Sequence, residues 1–347
     1  MTVTPTWSKE LSQNTGDCYK KIPSLDVNYC SPPSMCQDNH TAVTKVLLWG
    51  FQNLQSFRIP LFVIILVIYT IIVVGNLMTV LTVLYAKNLR HPMYIFLQNL
   101  AFSDVLSSSV IVPQLLYITW WEKGHLLIVG CICQFYMYSF LGIVQSFLLT
   151  VMAYDRYVAI CDPLRYSSLL SIRHCYRLIS FSWSLAFVLD STEVIFLFRL
   201  EFCDSDIINH FFCDLLPILE ISSSDTLIII WQDFALSIIT ILLPFLFVLI
   251  SYICIMVTIL GIPSTTGRKK AFSTCSTHLL LVFVYYGALI ALYVVPSDDN
   301  SRDGNKFKSL INTVLTPFSN PLIYSVRNKE LVKVFKKLIQ KQIWTLK

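Results

Sequence analysis

Charge is scarce in this chain. Only 14% of its 347 residues are Asp, Glu, Lys or Arg, whereas 55% are hydrophobic and the mean hydropathy is +0.64. A soluble domain carries about 25% charged residues, so too little polar material is present to cover a water-facing surface. The short motifs of catalysis are also missing. There is no HExxH, no GxSxG and no phosphate-cradling glycine loop, which argues against an enzyme. Residues 1–57 hold no apolar run long enough for a leader, so the first span is expected to target the chain itself. Ionisable residues deep in apolar segments come close to one, Asp104 in "LAFSDVL". No ring or relay of charges and no pair of broken-helix repeats marks an ion pathway.

What is present is a series of long apolar runs. Seven are readable: Ile59–Tyr85, Met93–Trp120, Leu127–Ile160, Tyr176–Phe198, Leu227–Leu260, Ala271–Val295 and Phe307–Ser325. An apolar run of roughly 20 residues crosses a bilayer as a helix. None of these runs alternates as a membrane barrel strand does, and lipid leaves helices as the remaining way to satisfy every backbone group. Pro113, Pro244 and Pro321 interrupt runs, which membrane helices tolerate. The expectation is an all-α membrane protein. Residues 1–57 form an outer segment, 58–325 a seven-transmembrane helix bundle, and 326–347 a short amphipathic cytoplasmic helix and tail.

Most of the 26 Lys and Arg residues fall on the side holding the linkers near Lys87, Arg165, Arg173 and Arg268 and the carboxyl tail. The richer side is cytoplasmic, so the amino terminus lies outside. The sequon at Asn39 then faces the side where glycosylation occurs. Of 11 cysteines, Cys18, Cys30, Cys36, Cys131, Cys203 and Cys213 fall outside or at the outer boundary, where disulfides persist. Cys133, Cys161, Cys175, Cys254 and Cys275 read as small buried apolar residues. In "KELVKVFKKLI", Leu331, Phe335 and Leu338 share a face with lysines elsewhere, the pattern of a helix lying on anionic inner-leaflet lipid.

The cytoplasmic linkers are too short to hold a domain, and a receptor fits better than a channel or an enzyme. The residues also resemble a family. "GN" (Gly75, Asn76), "LAFSDVL", Cys131, "DRY", Trp183, Pro244 with Tyr252, and "NPLIY" (Asn320, Pro321 to Tyr324) are similar to a rhodopsin-type G-protein-coupled receptor. "PMYIFLQNLAFSD", "MAYDRYVAICDPLRY", "KAFSTCSTHL" and "PLIYSVRN" resemble the signature segments of vertebrate olfactory receptors, over roughly Asn39 to Lys337.

That resemblance implies an odorant receptor of the plasma membrane acting through a heterotrimeric stimulatory G protein. It implies no cofactor, no metal and no nucleic acid. A metabolite-sensing receptor expressed elsewhere is the alternative, with a seven-helix channel or scramblase further off. By position alone Arg156 serves equally as a boundary anchor snorkelling to headgroups. The family motif implies instead a switch, in which Asp155 holds Arg156 beside Tyr157 until the inner helix ends part, with Tyr252 and Tyr324 converging on it. Asp104 reads either as a neutral buried acid or as a polar node with Asn76 and Asn320, and the resemblance favours the node. Gln145 stands where such receptors often carry a glutamate, which weakens a sodium site.

Cys213 resembles the cysteine that bonds to the top of the third span, here Cys131. Ser223 replaces the usual third cysteine of the outer loop, so Cys203 is expected to pair with Cys18, Cys30 or Cys36, four cysteines with three pairings. "HFFCD" offers His210, Cys213 and Asp214 as copper ligands, but the disulfide implied at Cys213 removes the sulfur. Helical spacing, with the family geometry, sets Tyr138, Ser139, Gly142 and Ile143, then Leu236, Ser237 and Thr240, Tyr286, Leu289, Ile290 and Tyr293, and Leu310 and Val314 around an outer cavity. None of these is charged, so the expected ligand is a small neutral odorant. Asp204, Asp206 or Asp214 folding inward from the loop would alter that.

Overall fold

The computed structural model describes residues 43–51, 57–86, 89–203, 206–293, 302–327 and 333–334. Seven long helical spans form the bundle. The first three are α1 (Arg58–Tyr85), α2 (Pro92–Trp121) and α3 (Ile128–Cys161). A short helix α4 (Tyr166–Leu169) precedes the fourth span α5 (Ile172–Leu197), and a loop helix α6 (Leu215–Glu220) follows it; the α4 end of the bundle is termed inner and the α6 end outer. The fifth span joins α7 (Leu227–Ser237) to α8 (Leu243–Gly261) through one π-helical turn, Ile238–Leu242. The sixth and seventh are α9 (Thr265–Tyr293) and α10 (Arg302–Arg327).

Six of these spans are long and apolar enough to cross a membrane by length and composition alone. α10 is the seventh, and its outer end carries Arg302, Lys306 and Lys308. The side chains are turned inside out relative to a soluble protein. Ile59, Val63, Val67 and Leu84 of α1 and Leu243, Ile250 and Val257 of α8 are exposed. Asn76, Asp104, Ser108, Asp190 and Asn320 are fully or almost fully buried. Such a surface is stable only against hydrocarbon, so the protein is a multi-pass membrane protein.

Local chemistry sets several helix ends. Pro92 occupies the first turn of α2, where its missing N–H is no loss. Glu122 ends α2 in the left-handed region at φ 69°, and its carboxylate pairs with Arg58 at the start of α1. The hydroxyl of Ser171 caps α5 by accepting from the His174 backbone N–H. The Asp214 carboxylate caps α6 at Leu215.

The helical bundle also carries a small sheet on its outer side. β1 (Lys45–Trp49) lies between β2 (Lys123–Leu127) and β3 (Ile207–Ile208). It runs antiparallel to β2, with Lys45 opposite Leu127 and Trp49 opposite Lys123. It runs parallel to β3, with Leu47 and Leu48 opposite Ile207 and Ile208. Val46 and Leu48 point down into a cluster with Ile118, Ile132 and Phe135. Lys306 pins this cap to α10, donating to the Gly50 carbonyl at 2.9 Å and to Asn209 Oδ1 at 2.7 Å.

α3 is the central mast, packed against α2, α5, α8 and α9. α1 meets α10 through Gly75, where an added Cβ would lie 2.7 Å from the Pro321 Cβ. A methyl group there must force the two helices apart. We expect Gly75→Ala to destabilise the bundle by about 1–3 kcal/mol, the usual cost of overpacking. A thermal melt of purified receptor checks this, and an unchanged midpoint would show that the contact has slack.

Candidate functional site

The functional residues occupy three levels along α3. At its inner end, Asp155 and Arg156 are buried, with 1% and 4% of their surface exposed, while Tyr157 faces outward at 37%. Arg156 Nε donates to Asp155 Oδ2 at 2.8 Å, and Nη2 contacts the same oxygen. The other oxygen, Oδ1, accepts from the Tyr166 hydroxyl at 2.8 Å. Tyr166 itself stacks on His91 at 5.6 Å. Burial and then the adjacent Asp155 charge push the Tyr166 hydroxyl far above its ordinary value, so it remains a donor.

Close to this pair, Tyr252 of α8 meets His278 of α9 at 2.7 Å. His278 Nε2 lies 3.0 Å from the Leu149 carbonyl of α3. A carbonyl only accepts, so Nε2 carries the proton and Nδ1 accepts from the Tyr252 hydroxyl. Three spans are thereby joined at their inner ends by one neutral imidazole. Arg156 is held by Asp155 and Tyr252 by His278. Sequence reading placed Tyr252 near Arg156 but passed over His278, although it lies within "KAFSTCSTHL". Tyr324 lies in the last turn of α10, and its side chain lies outside the described set.

At mid-membrane, Asn320 Nδ2 donates to Asp104 Oδ2 at 2.6 Å. Asn76 takes a different part from the one expected. It bonds the carbonyls of Ile72 and Pro317, each at 3.0 Å, and so ties α1 to the α10 kink. Gln145 donates to Ser107 at 3.3 Å.

Toward the outside lies a cavity of about 380 Å³ between α3, α5, the fifth span, α9 and α10. Tyr138, Ser139, Gly142, Ile143, Leu236, Ser237, Thr240 and Leu289 line it. Its roof comes from the outer loop, Phe212, Asp214, Leu215 and Leu216. The Tyr138 hydroxyl is held by Asn312 at 3.2 Å and Thr313 at 3.4 Å. Ser146 bonds the Thr240 carbonyl at 2.7 Å and the Tyr286 hydroxyl at 3.3 Å, next to the cavity floor.

Several expectations about this cavity need correction. On α9 the lining face is Tyr285, Leu289 and Leu292. That face is turned one residue from the expected Tyr286, Ile290 and Tyr293. Tyr286 packs on Phe245, Ile290 is 50% exposed toward lipid, and the Tyr293 side chain lies outside the described set. On α10, Ser309, Asn312, Thr313 and Thr316 line the wall in place of Leu310 and Val314. The premise of an uncharged cavity fails as well. Glu193, Asp214 and Asp233 all line it, and Asp190 and Glu193 are buried. Deep carboxylates are therefore not confined to Asp104. Hydropathy averages had hidden them, because each lies near the outer end of an otherwise apolar run and faces inward. Of the loop aspartates whose folding inward would alter the neutral cavity, Asp214 lines it and Asp206 is exposed, while Asp204 is outside the described residues.

Cys131 and Cys213 form a disulfide that fixes the roof to the top of α3. The sulfur of Cys213 is thereby consumed, which removes it from a copper set. Cys203 is disulfide-bonded too, to a partner beyond the described residues. Ser223 still sits beside it, its hydroxyl accepting from the Cys203 N–H at 3.2 Å. Asn39, Cys18, Cys30, Cys36 and the surface helix from Leu331 to Leu338 fall largely outside the described residues.

A cavity at one end, a buried polar core and a set of interhelical bonds at the other end of one seven-helix bundle fit a membrane receptor of the G-protein-coupled class. The family model for olfactory receptors matches residues 65–342, and the chain belongs to the olfactory receptor family. It is 40% identical to olfactory receptor 6B1 of Homo sapiens over 301 residues, covering 87% of this chain and 96% of that one. It is 42% identical to olfactory receptor 5P60 of Mus musculus over 308 residues, covering 88% and 96%. Olfactory receptor-like protein COR4 of Gallus gallus is 40% identical over 310 residues, covering 89% and 99%.

Two outcomes test this geometry. His278→Leu removes both bonds that latch α9 and costs the closed state about 1–2 kcal/mol. Ligand-free cyclic-AMP output of that variant should rise several-fold, and output at the wild-type level would show that the imidazole latches nothing. The second concerns His210, which is buried between Phe211 and Phe212 at ring distances of 4.6 Å. Burial lowers its pKa from 6.5 to about 4, so the fold favours the neutral ring. Stability is complete above about pH 6.5 and is lost as pH falls toward about 4. The melting midpoint should drop between about pH 7 and pH 5, and His210→Gln should flatten that slope.

Proposed function

We propose that this chain is an odorant receptor of the plasma membrane, with its amino terminus outside and its carboxyl terminus in the cytoplasm. It acts as a receptor and not as an enzyme. Its seven-helix domain, 58–325, holds the ligand at one end and the G-protein switch at the other. The observation that carries this is the continuity of α3, which lines the cavity at Tyr138–Ile143 and holds Arg156 a few turns below.

A ligand that pulls the outer ends of the fifth span and α9 inward tilts their inner ends away from α3. The Tyr252–His278–Leu149 chain is the bond set such a tilt must break. Freed from that set, Tyr252 becomes available to Arg156, and the cleft opens to a heterotrimeric G protein of the stimulatory olfactory type. Tyr138, Ser139 and Thr240 offer hydrogen bonds to one polar group. Ile143, Leu236 and Leu289 bind the remainder by apolar contact, which discriminates by about 1–3 kcal/mol per methylene. Tuning is therefore broad across a homologous series.

A cyclic-AMP reporter in cells expressing the receptor tests the reading against a diverse odorant panel. Dose-dependent responses should appear in wild type and vanish in Arg156→Ala at matched surface expression. Full signalling by Arg156→Ala would sink the role given to that arginine.

A further inference from the structure

The carboxylates of the cavity have no place in the mechanism above. Glu193 of α5, Asp233 of α7 and Asp214 of the roof face the same space from three separate elements. Glu193 is 3% exposed, and its Oε1 has no hydrogen-bond partner. Asp190 lies one turn earlier on α5, wholly buried, with the Ser139 hydroxyl of α3 as its polar neighbour. Glu193 lies within electrostatic reach of Asp233, Asp190 and Asp214. Among the described residues no Lys, Arg or His lines the cavity.

A bare carboxylate out of water is costly, and like charges together compound that cost. Structural acids in membrane bundles are ordinarily matched by an internal cation or by amide donors, as Asp104 Oδ2 is matched by Asn320 while its Oδ1 has no partner. Among the described residues this outer group has no cation beside it, and only Asp214 receives an amide, the Leu215 backbone N–H. The group is also divided by chemistry from the rest of the cavity, whose deeper wall is Ile143, Ile241 and Leu289. One end is acidic, with Glu193 Oε1 left without a partner, and the other is apolar.

We propose that the receptor's cognate ligand class is the protonated alkylamine, with the ammonium held between Glu193 and Asp233 beneath the Asp214 roof and the alkyl tail directed toward Ile143 and Leu289. This rests on the odorant-receptor reading and narrows it. An ammonium brings three N–H donors and one positive charge to a site that has carboxylates and no cation. A neutral alcohol satisfies at most one of these oxygens as a donor. A carboxylic acid adds a further negative charge and is rejected. The counter-charge comes from the fourth and fifth spans, since the third span has Tyr138 facing this space and its hydroxyl is already engaged.

The test compares matched n-alkyl amines, alcohols, ketones and carboxylic acids in the cyclic-AMP reporter, with surface receptor measured in parallel. The amine should be more potent than the alcohol of equal chain length by about tenfold or more, the scale of a charge-assisted hydrogen bond. Glu193→Gln and Asp233→Asn should each collapse that ratio toward unity. If one variant fails to reach the surface, the other and the wild-type ratio still decide the matter. Alcohols or ketones matching or surpassing amines in wild type would overturn the amine assignment and leave the odorant-receptor reading intact. An amine preference unchanged in both variants would overturn the assigned residues. Silence toward every series, with receptor at the surface and His278→Leu also silent, would overturn both readings.

Discussion

Lipid offers no hydrogen bonds, and the arrangement of this chain follows from that constraint. Each polar group carried into the membrane must find its partner inside the bundle. Asp104 finds Asn320, Ser146 finds the Thr240 carbonyl, and Tyr252 finds His278. Each of these bonds joins different spans, so they fix how the helices stand relative to one another. Apolar packing alone would leave that orientation loose, since Leu and Ile are as content against lipid as against each other. Function uses the same bonds. An interhelical bond worth about a kcal/mol can be exchanged for another at modest cost, which is what a two-state bundle requires.

The spans were legible because length and hydrophobicity are additive along the chain. Every expected run coincides with a helix, and most boundaries agree within a turn. The larger differences are at the amino-terminal ends of α5, α9 and α10. There the helices continue through "IRHCYR", "TTGRKK" and "RDGNK", which are too polar for an apolar run. The sheet was not legible. β1, β2 and β3 are far apart in sequence, and five residues such as Lys45–Trp49 carry no signal that names a distant partner.

Within the site, what could be read was what a motif or a clear helical step supplied. The α3 stripe from Tyr138 to Ile143 is an example. Where a step pattern had two adjacent solutions, as on α9, the choice between Tyr285 and Tyr286 depended on helix rotation, which sequence spacing leaves free. Buried acids were missed for a different reason. Asp190, Glu193 and Asp233 are too few to lower the apolar character of their spans, so a window average dilutes them. Their meaning depends on facing one another across a cavity.

The π-helical turn at Ile238–Leu242 divides the fifth span into two segments with separate registers. A π turn holds one residue more than the α turn it replaces, and each residue turns a helix by about 100°. Above the turn, Asp233, Leu236 and Ser237 are directed at the cavity; below it, Val248, Tyr252 and Ile255 are directed at the bundle core. The two faces would fall out of line on an uninterrupted α-helix. The extra residue therefore works as a phase shifter. It lets the outer half of the span vary its chemistry toward the cavity without rotating Tyr252 away from the switch that the inner half must keep.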